Sequence, residues 1–132
     1  LEMLCKMLKI ENKVEFPGFV DNIQEVLENA SMFILPSKYE GLPNALVEAM
    51  ALGVPCIATD CPVGGPRSLI KSGVNGILIN NNSVEQLSDS IQKFIENDSL
   101  ADLCGKNALG ISKQLDPVFI ANKWLLFFKS VE

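Results

Sequence analysis

The stretch that decides the fold of this chain is EGLPNALVEAM, residues 40–50. An apolar run precedes it at residues 32–35, and a second apolar run follows it at residues 55–58. Gly and Pro at its start, followed by residues that favour helix, predict a strand, a tight turn, a helix and another strand. A helix that starts just past the carboxyl end of a buried strand is where open α/β sheets bind nucleotides.

The turn inside this stretch has the residues of an anion site. Pro43 suits the first helical position because its φ is preset and it has no N–H, and Gly41 permits a sharp turn and a close ligand approach. The first helical amides, at Asn44 and Ala45, have no partner within the helix and carry the positive end of its dipole. We therefore expect these amides to hold a diphosphate without a metal.

Two carboxylates flank the same turn. Glu40 and Glu48 are eight positions apart, and Glu48 lies four residues after Asn44, on the same helix face. Because helical side chains lean toward the N-terminus, Glu48 points back toward the amides, while Glu40 reaches them from the strand end. A diphosphate with hydroxyl groups on both sides, as in a nucleotide-sugar, fits this arrangement. The alternative is that both are ordinary solvated glutamates.

Segments 36–43 and 48–55 closely resemble the E-x7-E signature of the retaining GT-B glycosyltransferases, the glycosyl transferases group 1 family. Segment 14–20 is similar to the strand and turn that precede the signature, and three later segments are similar to those that follow it, at residues 57–60, 64–66 and 72–79. The resemblance covers about residues 1–96 in order. It identifies the chain as the C-terminal nucleotide-sugar-binding domain of a GT-B enzyme. The chain starts at Leu1 and opens directly in a helical pattern, so we expect it to be truncated at its N-terminus.

The resemblance implies a role for each matching residue. Glu40 faces the donor sugar near the reacting carbon and is the catalytic residue, Glu48 bonds the ribose hydroxyls, the amides of residues 42–45 hold the diphosphate, and the main chain of Val20 meets the base. The donor-binding set is Glu48, Gly41, Leu42, Pro43, Asn44, Ala45, Val20, Gly64 and Gly65. For Val20 simple core or turn packing stays open, and Gly64 and Gly65 either bring their loop close to the ligand or only make its turn.

One segment departs from the family pattern. Family members often place a glutamate just after the proline of the 61–66 loop, but here Arg67 and Ser68 follow Pro66. The contact of this loop with the donor is therefore in question. Lys38 and Arg67 are candidate extra phosphate partners, with a solvated surface role as the alternative.

The resemblance also implies the reaction. The full protein would transfer a sugar from a nucleotide-sugar, UDP-linked and bound without a metal cofactor, to a glycan or lipid-linked acceptor, with retention of configuration. The acceptor would bind the absent N-terminal domain. The family's Arg and Lys that neutralise the leaving diphosphate also lie upstream, so we expect residues 1–132 alone to be inactive and to bind donor weakly.

Two other functions stay open at this point. One is a nucleotide-sugar epimerase on the same scaffold, although such sites usually use histidine and the chain has none. The other is a non-catalytic Rossmann-like domain that binds proteins.

Composition argues against several kinds of function and site. The chain has 132 residues, a net charge of −5 and no basic run, so nucleic-acid binding is disfavoured. The four cysteines form no C-x-x-C pair, and without histidine a zinc site or a Ser/His or Cys/His nucleophile is not expected. No apolar stretch approaches the ~20 residues that span a bilayer. We expect a cytoplasmic location, with peripheral association of the full protein at the inner face of the membrane.

The element pattern predicts the architecture. Four strands, at residues 14–16, 31–35, 56–59 and 76–79, alternate with helices, which indicates one Rossmann-like domain with a parallel sheet of about four strands between two helical layers. The family sheet has six strands in the order 3-2-1-4-5-6, and this chain resembles strands three to six. Since strands one and two are absent, we expect residues 14–16 to shift against residues 32–35, or a second copy to pair with the exposed edge as a dimer.

Asp21 or Asn22 can cap a helix that runs to about residue 28, residues 67–71 are predicted to form a short helix, and Ser83 is predicted to cap a further helix. Helices are also predicted for the remainder, residues 97–132. The last of them, at about residues 119–131, carries Trp124, Phe127 and Phe128 at helical spacing. Such spacing predicts core packing in preference to a cofactor box. In the GT-B family the terminal helix crosses back to the other domain, so the resemblance implies that part of this cluster packs on the absent N-terminal domain.

Overall fold

A parallel three-stranded sheet forms the centre of the fold in the computed structural model, which describes residues 1–131. Its strands are β1 (Phe33–Leu35), β2 (Cys56–Asp60) and β3 (Ile77–Asn80), in the order β1-β2-β3. Eight helices are present in the described residues: α1 (Glu2–Leu8), α2 (Ile23–Glu28), α3 (Asn44–Ala51), α4 (Gly65–Leu69), α5 (Val84–Glu96), α6 (Asp98–Ala108), α7 (Ile111–Gln114) and α8 (Pro117–Ser130). The α/β class with a parallel sheet and helices on both faces is confirmed.

Each face of the sheet has its own apolar cluster. Successive residues of β2 point to opposite faces, so Cys56 and Ala58 pack against Leu46 and Met50 of α3. On the other face, Ile57 lies in a cluster whose buried members also include Ile79, Phe94 and Cys104, from β3, α5 and α6. β2 is buried on both faces along most of its length, as is typical of a central parallel strand. The result is three layers, with the carboxyl ends of all three strands at one edge.

The predicted strand at residues 14–16 is wrong. Residues 14–18 have no regular structure, and Phe16 is 47% exposed. The sheet of residues 1–131 therefore has three strands where we expected about four, and the segment does not shift against β1. A strand needs a paired edge or a buried face to be stable, and this segment has neither.

Two helices also differ from the predictions. The helix α4 begins at Gly65, before Pro66, whereas the sequence placed its start at Arg67. Between α6 and α8 lies the short helix α7, which was not predicted; Ile111 at its start is buried in the core. The caps of α2 and α5 agree with prediction, since Asn22 and Ser83 accept from Glu25 N and Gln86 N respectively.

The terminal helix α8 does not pack in the core, so that prediction for its aromatic residues is wrong. None of its residues is buried, and Trp124 is 57% exposed. Trp124 instead stacks on Phe128 along the helix, with ring centroids 5.7 Å apart. No helix within residues 1–131 combines the length and the apolar character that crossing a membrane requires.

Candidate functional site

The turn between β1 and α3 leaves peptide N–H groups free at the helix start. Pro43 is the N-cap, with φ −78° and ψ 102°; the prediction that it is the first helical residue is off by one position. Leu46 N and Val47 N donate to the Pro43 carbonyl at 3.1 Å. The N–H groups of Asn44 and Ala45 donate to nothing within residues 1–131, and both residues are exposed. Two amides without a partner in the described residues therefore belong to exposed residues at the positive end of the helix dipole.

Glu40 sits in the turn after β1 and is held at both its main chain and its side chain. Its N–H donates to the Pro62 carbonyl at 2.7 Å, and its carbonyl accepts from Val63 N at 3.0 Å. Its carboxylate oxygen Oε1 accepts from the Ser37 hydroxyl at 2.7 Å. The carboxylate is thus held in the turn that follows β1.

The loop after β2 packs directly on this turn. A Cβ at position 65 would lie 1.4 Å from the Gly41 carbonyl oxygen and 3.1 Å from Pro43 Cδ. Gly65 is therefore needed for backbone-to-backbone contact with the turn. Gly64 precedes it with φ +95° as the N-cap of α4, a conformation that favours glycine.

Glu48 lies in the second turn of α3 and is exposed. Four residues of helix place it about 6 Å along the axis from Asn44. It borders a cavity of about 290 Å³ between α2 and α3, which Ile23, Leu27 and Leu52 also line. No hydrogen bond of its carboxylate occurs within the described residues, so both oxygens are available to a ligand. Val20, three residues before α2, is half-buried.

The two candidate cations of the site differ in their surroundings. Arg67 makes a bidentate pair with Asp60, with Nε–Oδ1 at 2.8 Å and Nη2–Oδ2 at 2.6 Å. This hydrogen bond and the charge of Asp60 raise the pKa of the Arg67 guanidinium above its ordinary value. Lys38 is exposed and forms no ion pair in the described part of the chain. Arg67 is thus already engaged, whereas Lys38 stays a candidate phosphate partner.

Residues 1–131 contain no cluster of three or more His, Cys, Asp or Glu side chains arranged to hold a metal ion. All four cysteines are free thiols and buried.

The structure brings the two predicted segments, 40–45 and 61–65, into direct contact at one edge of the sheet. The sequence did not reveal the supports of Glu40, which are Ser37 and Thr59. Thr59 is buried, and its hydroxyl donates to the Ser37 carbonyl. A serine three residues before the glutamate was the available signal for the first support. The second is separated from Ser37 by 22 residues, and such long-range pairs leave no local pattern.

Known proteins are similar to this chain in sequence. The family described as Glycosyl transferases group 1 matches residues 1–110. A poly(ribitol-phosphate) alpha-N-acetylglucosaminyltransferase of Staphylococcus aureus is 31% identical over 98% of the chain and 27% of its own length. A lipopolysaccharide 1,6-galactosyltransferase of Salmonella typhimurium is 36% identical over 67% of the chain and 25% of its own length.

The fold is shared as well. The crystal structure of Anabaena HepE in complex with UDP superposes with a TM-score of 0.90 at 27% identity, covering 98% of this chain and 35% of that one. The chain thus spans about a quarter of the length of these curated relatives.

Proposed function

This chain belongs to the glycosyl transferases group 1 family, and from that premise we propose that it is the donor-binding part of a retaining glycosyltransferase. The proposed donor is a UDP-linked sugar, and the proposed acceptor is a glycan or a lipid-linked glycan. The observation that carries the proposal is the pair of amides at the exposed residues Asn44 and Ala45, which have no partner within residues 1–131. We propose that Glu40 and Glu48 flank a ligand bound there.

Each part of the site has a chemical task in this proposal. The amides of Asn44 and Ala45 bind the diphosphate, as helix N-termini bind phosphates generally. The free carboxylate of Glu48 accepts from the ribose hydroxyls in the groove beside α2. Glu40 faces the transferred sugar near its anomeric carbon. The proposed site uses no metal, because the amides and the helix dipole supply the positive potential for binding.

The relatives support this enzyme class over the alternatives. The two relatives described above are named as transferases of sugars, and HepE was crystallised with UDP. Neither an epimerase nor a non-catalytic interaction domain is favoured by these similarities. Retention of configuration is inferred from the resemblance to the E-x7-E signature.

We propose that catalysis also needs groups upstream of this chain. The leaving diphosphate must be stabilised as its charge develops, and the acceptor hydroxyl must be held against the donor. Within residues 1–131 the candidate phosphate partners that are not already engaged are the amides of Asn44 and Ala45 and the exposed Lys38. The chain alone is therefore proposed to bind UDP weakly and to transfer no sugar.

The upstream part is proposed to rest on α8. This helix contacts mainly α7 within the described residues, and its apolar side chains are exposed. A cytoplasmic location with peripheral association at the inner membrane face follows from the proposed lipid-linked acceptor. Dimerisation through the free edge of β1 stays a prediction.

The first test measures donor binding by isothermal titration with UDP and other nucleoside diphosphates, using the full-length protein and this chain. We expect Glu48→Gln to weaken UDP binding about 10- to 100-fold, because hydrogen bonds to charged groups contribute about 1.5–3 kcal/mol. Glu85→Gln, at an exposed glutamate in the first turn of α5, is the matched control. The proposal fails if the full-length protein binds no nucleoside diphosphate at millimolar concentration.

The second test follows turnover of the full-length protein with a UDP-sugar. Glu40→Gln should abolish most transfer while the protein stays folded. The anomeric configuration of the product, read from its proton coupling constant, tests retention. An inverted product would contradict the assignment.

A further inference from the structure

We propose that Ser37 is a positioning residue for Glu40: its hydroxyl fixes one carboxylate oxygen so that the other faces the donor sugar. The inference rests on the proposed function, because it assigns Ser37 to the reaction through Glu40. Three observations carry it, one on the main chain of Glu40, one on its side chain and one on the support of Ser37.

The main chain of Glu40 has no freedom to move alone. Its N–H and its carbonyl are both hydrogen-bonded to the loop after β2, at 2.7 Å to Pro62 and 3.0 Å from Val63. Gly65 contacts the backbone of Gly41, the next residue. The Cα of Glu40 is thus fixed from two sides, and what remains to be set is the direction of its side chain.

The side-chain contact sets that direction. Ser37 Oγ lies 2.7 Å from Glu40 Oε1, and the pair is partly buried. A hydroxyl that donates to a carboxylate makes a charge-assisted bond, about twice as strong as a neutral one. The second oxygen, Oε2, accepts no hydrogen bond within residues 1–131 and is not among the buried unpaired atoms there. One oxygen is therefore anchored, and the other is open to a ligand.

Ser37 is itself held in place. Thr59, whose side chain is buried in the middle layer, donates its hydroxyl to the Ser37 carbonyl. The Thr59 Oγ1 atom also lies 3.4 Å from the Leu35 carbonyl, so the chain that leaves β1 is tied to β2. Thr59, Ser37 and Glu40 form a line of hydrogen bonds from the core to the site.

The expected role is orientation and not chemistry. Without the Ser37 hydroxyl the carboxylate would rotate among its rotamers, and a misplacement of about 1 Å in a reacting group can cost about 100-fold in rate. Donor binding through the α3 amides and Glu48 would not change. We therefore expect a loss in kcat without a change in the donor KM.

The test compares serine variants of the full-length protein. Ser37→Ala should lower kcat about 10- to 100-fold with the donor KM unchanged, and Ser37→Thr, which keeps a hydroxyl, should restore most of the rate. Ser88→Ala, at an exposed serine of α5, is the control and should behave like the wild type. Thermal unfolding of each variant checks its fold; if Ser37→Ala does not fold, Ser37→Cys replaces it as a weak donor of similar size.

A double-mutant cycle separates positioning from a general structural role. If Ser37 acts through Glu40, Ser37→Ala should reduce residual turnover no further in a Glu40→Gln background. The inference is overturned if Ser37→Ala matches Ser88→Ala, or if its effect is equally large in both backgrounds.

The proposed function and the role of Ser37 can be tested separately. A wild-type protein that binds no nucleoside diphosphate and transfers no sugar removes both the function and the role of Ser37. An active wild type with an unaffected Ser37→Ala variant removes the role of Ser37 alone.

Discussion

The carbonyl oxygen of Gly41 occupies the place where any residue other than glycine at position 65 would put its Cβ, at a separation of 1.4 Å. This contact is between backbones, so no side-chain rotation can relieve it. At the scale of single residues, the contact between the turn after β1 and the loop after β2 therefore requires glycine at position 65.

Gly65→Ala should therefore destabilise the chain. The turn and α4 must separate to admit the methyl group, and overpacking of this kind costs about 1–3 kcal/mol of unfolding free energy, occasionally more. Urea unfolding measures the change. Gly41→Ala is the matched control, because a Cβ there has open space and stability should change little. Equal unfolding free energies for the two variants would contradict this account.

The sequence predicted the turn after β1 and the loop after β2, but not the contacts between them. The glycine pair at positions 64 and 65 was expected either near the ligand or only in a turn; the structure shows that Gly65 packs on Gly41, and its relation to a ligand stays a prediction. The start of α3 was predicted at Pro43, one residue before its observed start at Asn44. The Thr59 contact with Ser37 joins segments that are distant in sequence, so no local spacing could reveal it.

At the scale of the element, burial of the central strand β2 changes the pKa of a cysteine within it. Cys56 is fully buried in it. Loss of hydration on burial, and to a lesser degree the neighbouring Cys104, together raise the pKa of the Cys56 thiol from its ordinary value of 9.0 to about 12. Its Sγ donates to the Val54 carbonyl at 3.1 Å, a contact that also needs the protonated thiol.

The stability of the chain should therefore fall in alkali. Below about pH 9 the thiol is protonated in the folded and the unfolded states alike, so it contributes no pH dependence. Between about pH 9 and 12 the Cys56 thiol loses its proton only in the unfolded state, so this group alone lowers the unfolding free energy by about 1.4 kcal/mol per pH unit.

Urea unfolding between pH 7 and 10.5 measures this slope. Cys56→Ala is the comparison, because it removes this thiol and keeps the other side chains that titrate in this range. A smaller decline with pH is expected for the variant. An identical decline in both proteins would show that burial of Cys56 does not set the slope.

Elements with a partner in the chain were predicted well, and elements without one were not. The strands β1, β2 and β3 and the capped helices α2 and α5 were all expected, since they follow from apolar runs and cap residues. Residues 14–16 have the composition of a strand but no neighbour to pair with. The apolar spacing of α8 predicted a buried face, but none of its residues is buried. Residues 1–131 provide no surface that covers this face.

At the scale of the whole molecule, the exposed face of α8 gives a direct optical test of the proposed domain arrangement. Trp124 is the sole tryptophan of this chain and is 57% exposed. In the chain alone it should emit at long wavelength and be quenched readily by acrylamide. In the full-length protein, contact with the upstream domain should shift the emission to shorter wavelength and reduce quenching.

Subtracting the spectrum of a Trp124→Phe variant isolates this residue from any other tryptophan of the longer protein. Equal quenching of Trp124 in the two proteins would show that α8 is not covered, and the proposed packing would be wrong.

The double hydrogen bond between Glu40 and the 62–63 segment has a practical consequence for protein engineering. Two loops that follow different strands are fastened together, so neither is an independent module. A chimaera that takes only one of the two loops from a relative would combine a turn and a loop whose hydrogen bonds to each other no longer match. Grafting should succeed when both loops are transplanted as a unit.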